Sequence, residues 1–148
     1  MMFSSRAEYG VRVMVELARR DGEQPVSLSE IADGDALPLA YLEHLAARLR
    51  KAGLVESRRG ARGGYLLARP AGEISMAEVV EALEGSIAPI ECISEGADGH
   101  LVCTREAETD HVCPTKLLWT RVQGSIVRTL RDTKLSDLVH DKRKPVAA

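Results

Sequence analysis

A chain of 148 residues, 45% apolar but only 3% aromatic, has the length of one domain with an extension. Its core must come from Leu, Val, Ile and Ala, which favours helices packed on helices. The net charge of −2 hides a division: residues 41–70 carry seven Arg/Lys against Glu43 and Glu56, whereas residues 71–114 carry ten acids against Arg105 alone.

That segregation points to a polyanion-binding part joined to a part that is not. Two solvated faces would explain either half, but not their separation. The N-terminal MMFSSRAEYG lacks an apolar signal core. No apolar run approaches a membrane span, so a cytoplasmic protein without membrane contact is expected.

The first helix is expected from Ser4 to about Arg20. Val11, Met14, Val15 and Ala18 give it a buried stripe, and Ser5-Arg6-Ala7-Glu8 matches a capping box. Ser27 or Ser29 opens a short second helix that stops near Asp33-Gly34. Pro38 starts a third, with Leu42, Leu45, Ala46 and Leu49 inward. Ala40, Tyr41, His44, Arg48 and Lys51 point the other way, with Glu43 on the flank. Gly53 closes this helix. Leu54–Ser57 and Tyr65–Ala68 read as strands of a hairpin around the turn Arg58-Arg59-Gly60-Ala61-Arg62-Gly63-Gly64. Ser75 begins a fourth helix, ending at Gly85. Residues 86–114 read as a loop. Pro114 starts a long last helix to about Arg131, with Leu118, Val122, Ile126 and Leu130 repeating every four residues, and a polar tail, Asp141–Ala148, is expected to be disordered.

The fold class is therefore mainly α with a small β-hairpin: a winged helix-turn-helix plus a long C-terminal helix. Its expected divisions are 1–85, 86–114, 115–140 and 141–148. In a winged helix-turn-helix the third helix enters the major groove. Tyr41, Glu43 and His44 are the candidates for base edges, and Arg48 and Lys51 for phosphates. Arg58, Arg59 and Arg62 of the wing suit phosphates or a minor groove, while Gly63 and Gly64 allow close approach to the DNA backbone. The Gly60–Gly64 run is not a nucleotide loop, because it leads into a strand and has no Gly-Lys-Ser/Thr.

Cys92, Cys103 and Cys113 form a cluster, with none in the preceding 91 residues or the last 35. In a reducing compartment, three such cysteines point to a metal, a cluster or a redox switch rather than a structural disulfide.

The chain resembles the IscR/NsrR-type bacterial repressors. The matching stretches are Ser5–Arg12, Leu28–Ala32, Leu39–Glu43, Leu49–Val55 and, most diagnostic, the wing Arg59–Pro70. The match covers residues 3–85 and extends through the cysteine segment to near residue 139. The resemblance implies a homodimer joined through the C-terminal helices, reading a palindromic operator in double-stranded DNA. It also implies an iron–sulfur cluster, 2Fe–2S or 4Fe–4S, on Cys92, Cys103 and Cys113. The function implied is a transcriptional repressor sensing redox, iron–sulfur status or nitric oxide. The intervals between the cysteines are longer than the family's common ones.

Three thiolates leave one position to fill. Some members of the family use a His shortly after the third cysteine, but here Pro114-Thr115-Lys116-Leu117 follows. Others use a carboxylate in the first helix, donated by the partner subunit, and Glu8 stands at that position. Helix-end roles, a capping box with Ser5 and an ion pair with Arg12, compete for Glu8. His100 and His111 are the other candidates. Two further functions stand beside the cluster sensor. A zinc or thiol-redox regulator would use the same cysteines. A small enzyme or electron carrier would not need the Arg/Gly hairpin, and no Ser/His/Asp or paired-carboxylate arrangement stands out.

Overall fold

The computed structural model describes residues 3–20, 24–88, 90–109 and 111–140. The tail Asp141–Ala148, expected to be disordered, lies outside them. The first helix, α1 (Ser5–Arg19), buries Ala7, Gly10, Val13, Met14, Leu17 and Ala18 along one stripe. Its N-cap is Ser4, whose hydroxyl accepts the Arg6 N–H. The expected capping box of Ser5 and Glu8 does not form. Glu8 instead pairs with Arg12 at 2.8 Å on the exposed face.

The helices α2 (Leu28–Asp35) and α3 (Leu39–Lys51) make the helix-turn-helix. Ser27 caps α2, and the chain leaves it at Ala36 in the left-handed conformation rather than at Gly34. Pro38 stands at the N-cap of α3, and Leu42, Leu45, Ala46 and Leu49 are buried as the spacing implied. The wing follows, β1 (Val55–Arg58) antiparallel to β2 (Gly64–Leu67), in a register that sets Arg58 opposite Gly64. Val26, just before α2, adds a bridge to Tyr65 through two 2.9 Å backbone bonds.

A single 3-10 turn (Ala71–Glu73) leads to α4 (Met76–Glu84). Its Ser75 and Glu78 form a complete capping box. Leu83 near the end of α4 packs into a notch in α1: a Cβ at Gly10 would lie 2.1 Å from Leu83 Cδ1. Glycine is therefore required there by space, since the helix is otherwise regular.

The segment expected as a loop is ordered into β3 (Ile93–Glu95), β4 (Leu101–Cys103) and α5 (Thr104–Thr109). The glycines and acids between the strands form the hairpin's turn, with Gly96 N–H on His100 C=O at 2.8 Å and Gly99 in a positive-φ conformation.

The long helix expected from Pro114 to about Arg131 is α6 (Lys116–Asp132), and the rest of the 115–140 division, expected as part of one dimerisation helix, holds a second helix, α7 (Leu135–His140). Between them the chain returns to the winged unit. Thr133 C=O accepts the Met76 N–H, and the Leu135 N–H donates to Ile74 C=O, both at 2.9 Å. Leu135 is fully buried in the same core as Met14, Leu42 and Leu83. Residues 133–139 thus pack with residues 3–85.

Replacing Leu135 by Ala should lower stability by about 2–5 kcal/mol, the usual cost of emptying a core Leu site. Urea denaturation checks this, and a loss below about 0.5 kcal/mol, the size usual for surface substitutions, would show that α7 is loosely held. A second outcome concerns acid. The Arg69 guanidinium, with the Ser75 N–H and hydroxyl, holds the Glu78 carboxyl down from 4.5 to about 2 against the opposing effect of burial. A depressed carboxylate stabilises the fold above its unfolded pKa and ceases to as pH falls through the folded one. Glu78→Gln should therefore flatten the loss of stability between pH 4.5 and about 2, measured by thermal melts across that range.

Candidate nucleic-acid interface and cysteine segment

The outer face of α3 exposes Ala40, Glu43, His44, Ala47, Arg50 and Lys51. Tyr41, expected beside them, is half-buried and meets the Tyr9 ring edge-on at 5.9 Å. Its ring is held by α1, so Glu43 and His44 are the freer side chains at the N-terminal end of the face. Arg48 is also half-buried. Its Nη1 donates to Leu83 C=O at 3.2 Å and its Nε lies 3.4 Å from His44 Nε2. Arg50, absent from the sequence-derived set, reaches Ser57 Oγ at 3.2 Å and ties α3 to the wing.

Arg58, Arg59 and Arg62 are exposed around the tip of the wing, with Lys51 nearby in sequence on α3. The two glycines of this turn have internal reasons. A Cβ at Gly63 would meet Arg58 C=O at 2.3 Å, and one at Gly64, where φ is +154°, would meet Val26 C=O at 2.3 Å. Gly64 is needed for the bridge between β2 and the approach to α2. The spacing alone suggested close approach to DNA because the Val26 contact is not visible in sequence.

The three cysteines are free thiols, Cys103 buried and Cys92 and Cys113 half-buried. Pairing of Ile93 with Cys103, and of Thr104 N–H with Cys92 C=O at 2.9 Å, places Cys92 and Cys103 on adjacent chains of the hairpin. Cys92 lines a cavity of 670 Å³ with Thr104, Arg105, Glu108 and Thr115. Cys113 and His111 line a neighbouring one of 430 Å³ that shares Arg105 and Glu108. His100 sits exposed in the β3–β4 turn.

Glu106 organises the third cysteine. One of its oxygens accepts the Cys113 N–H at 2.9 Å and the other pairs with Lys116 Nζ. Lys116 and the Cys113 N–H hold the Glu106 carboxyl below its usual range. The Thr115 hydroxyl and N–H, with the Cys103 thiol beside them, hold the Cys113 thiol down against the opposing effect of burial. Sequence reading missed Glu106, although its place seven residues before Cys113 on a short acidic helix was visible.

It also missed Glu84. This carboxylate leaves the last turn of α4 and caps α1. Its Oε1 accepts the N–H groups of Ser4 at 3.0 Å and Ala7 at 3.2 Å and the Ser4 hydroxyl, and Oε2 lies 3.4 Å from Arg6 Nη2. Burial pushes the Glu84 carboxyl up, but these donors outweigh it and hold it below the ordinary carboxylate range.

A helix-turn-helix with an arginine-rich two-stranded wing defines a winged-helix DNA-binding protein. The model of the Rrf2 family, described as an iron-dependent transcriptional regulator, matches residues 3–141, and the chain belongs to that family. It is 39% identical over 141 residues to protein rrf2 of Nitratidesulfovibrio vulgaris, covering 95% of this chain and 89% of that one. It is 35% identical over 150 residues to the transcriptional regulator IscR of Cereibacter sphaeroides, covering 100% of this chain and 93% of that one. Among solved structures it is similar to CymR, the global cysteine regulator of B. subtilis, with a TM-score of 0.76, 34% identity, and 97% and 99% of the two chains covered. The chain is thus a transcriptional regulator and not an enzyme. No helix among the described residues is long and apolar enough to cross a membrane.

Proposed function

We propose that this protein is a homodimeric, cytoplasmic repressor whose hold on a palindromic operator depends on an iron–sulfur cluster at Cys92, Cys103 and Cys113. The observation that carries the reading is the position of the thiols. They lie on one ordered hairpin-and-helix segment that begins directly after α4, whose last turn touches both α1 and α3.

The residues fit such a group in their chemistry. Cys92 and Cys113 each line one of the two neighbouring cavities and Cys103 is buried in the hairpin between them in sequence, and thiolates are the usual ligands of iron–sulfur clusters. Among the described residues of one chain, no three His, Cys, Asp or Glu side chains converge on a single point. In a dimer, the partner subunit's Glu8, which is exposed on α1 and paired with Arg12 in this chain, would be the remaining donor. When bound, the cluster supplies iron that exchanges electrons or reacts with nitric oxide. The chain's own part is to hold the thiols, through Glu106 on the Cys113 backbone and the β3–β4 pairing at Cys103. Through Glu8 the group would be tied to α1, against which the rest of the winged unit packs.

On DNA, Glu43 and His44 read base edges, while Lys51, Arg58, Arg59 and Arg62 meet phosphates. Dimerisation uses α6, where Leu117 and Leu118 are exposed.

A second reading, a thiol switch without a cluster, is favoured by the Cys113 thiol, which Thr115 and, to a lesser degree, Cys103 hold below its usual range. A peroxide would take two electrons and two protons from the Cys103 and Cys113 thiols to leave a disulfide and water.

Anaerobic purification separates the two. The cluster reading expects a coloured dimer with sulfide-to-iron absorption bands, lost in each of Cys92→Ala, Cys103→Ala and Cys113→Ala. A colourless protein that forms the Cys103–Cys113 disulfide with peroxide favours the second. Glu8→Ala should keep the colour but lose it faster in air; unchanged spectrum, cluster lifetime and DNA affinity would remove Glu8 from the site. Arg62→Ala should reduce the slope of log affinity against log salt by about 1, as loss of one phosphate contact does, whereas Glu43→Ala should alter base preference at constant slope. Mobility shifts over a salt series measure both.

A further inference from the structure

The last turn of α4 ends at Glu84, and Cys92 follows only a few residues later. Three contacts leave this turn for two other helices. The Leu83 side chain fills the notch at Gly10 of α1. The Glu84 carboxylate caps the start of α1 through Ser4 and Ala7. The Leu83 carbonyl accepts Arg48 Nη1 from α3 at 3.2 Å.

The Arg48 contact has a physical logic of its own. The last carbonyls of a helix lack intrahelical partners, and a cation there also meets the negative end of the helix dipole. Beside it, α3 and α4 part to leave a groove of 570 Å³ bounded by Arg48, Lys51, Ala52 and Ala82. Side-chain packing does not fill that groove, so the guanidinium is the polar tie across it. An Arg engaged in this way has its stem and one arm committed before any DNA arrives.

We propose that Arg48 is a positioning residue for α3 rather than a phosphate contact. It sets the angle of the DNA-reading helix against the end of α4. Together with Glu84 it makes that end the junction where the state of the cysteine segment meets both α1 and α3. A displacement of Cys92 and residues 90–91 would pull on the Leu83 carbonyl and the Glu84 carboxylate at once. Arg48 passes the first displacement to Glu43 and His44, which lie on the same helix. This inference rests on the cluster-dependent reading above.

The test uses anaerobic, cluster-loaded and cluster-free dimers of the wild type, Arg48→Met and Arg48→Lys. The DNA is a duplex recovered by in vitro selection on the wild type, and affinities are read by anisotropy over a salt series. In the wild type the two states should differ in affinity by about tenfold or more, within the range usual for coupled sites. In Arg48→Met the ratio should fall to within about twofold of unity while the salt slope stays as in the wild type, since a phosphate contact would change that slope by about 1. Arg48→Lys, which keeps the charge and the stem but offers a point donor, should give an intermediate ratio at unchanged slope. It also serves if Arg48→Met fails to fold by circular dichroism. A slope reduced by about 1 with the wild-type ratio preserved makes Arg48 a phosphate contact and overturns the proposal. A wild-type ratio of unity overturns the cluster-dependent reading and this inference with it, whereas a wild-type ratio retained in both variants overturns this inference alone. Glu84→Gln, away from the DNA-facing side chains, should lower the ratio at unchanged slope; an unchanged ratio removes Glu84 from the junction.

Discussion

The start of α1 needs a negative partner, and it finds one 80 residues away. Its first N–H groups cannot be satisfied within the helix, and the Ser4 hydroxyl covers only one of them. The Glu84 carboxylate takes two more and lies beside Arg6. An anion at a partly buried helix start is worth up to about 2 kcal/mol. The bond also dictates geometry. With Glu84 at one end of α1 and Leu83 in the Gly10 notch, α1 and α4 cross at a fixed place. The helix-turn-helix packs on α1, and the cysteine segment leaves from α4. Both halves of the molecule are therefore referred to this one contact.

A comparable arrangement recurs at smaller scale around Cys113. Glu106 from α5 holds a backbone N–H at the cysteine and an ammonium at the start of α6. In both cases a carboxylate on one helix reaches the beginning of another. The strongly acidic composition of residues 71–114, which looked like a surface property, is in part a set of such joints. Glu78 in the α4 capping box, paired with Arg69, ties the start of α4 to the chain that leaves the wing.

Local periodicity made most of the winged unit legible. Leu42, Leu45, Ala46 and Leu49 are the buried face of α3 because helical spacing leaves little choice, and the Gly/Arg turn between two short apolar runs could only be a hairpin. Contacts between distant residues were not legible. Ser5 and Glu8 fit a capping-box pattern as well as Ser4 does a simple cap. What decides between them is Glu84, which no local window contains. Tyr41 reads as outward by angle, yet Tyr9 covers it. The β3–β4 hairpin was obscured by its short strands and by three cysteines and many acids that suggest an irregular loop, although Asp98-Gly99 is an ordinary turn signal. The break between α6 and α7 has no proline or glycine to announce it. It is imposed by the edge of residues 74–76, which takes the backbone bonds of Thr133 and Leu135.

That return of the chain bears on operator geometry. If two copies join through α6, each winged unit is fastened to the far end of its own dimer helix by Thr133, Leu135 and α7. The distance between the two reading helices is then set by how the α6 helices cross. A slide of one residue along that contact would displace a winged unit by about 1.5 Å, and a half-site centre lies about one helical turn of DNA from its mate. Such a dimer would read the spacer length of a two-part site along with its bases, because backbone bonds at Thr133 and Leu135 hold each winged unit to the end of its α6.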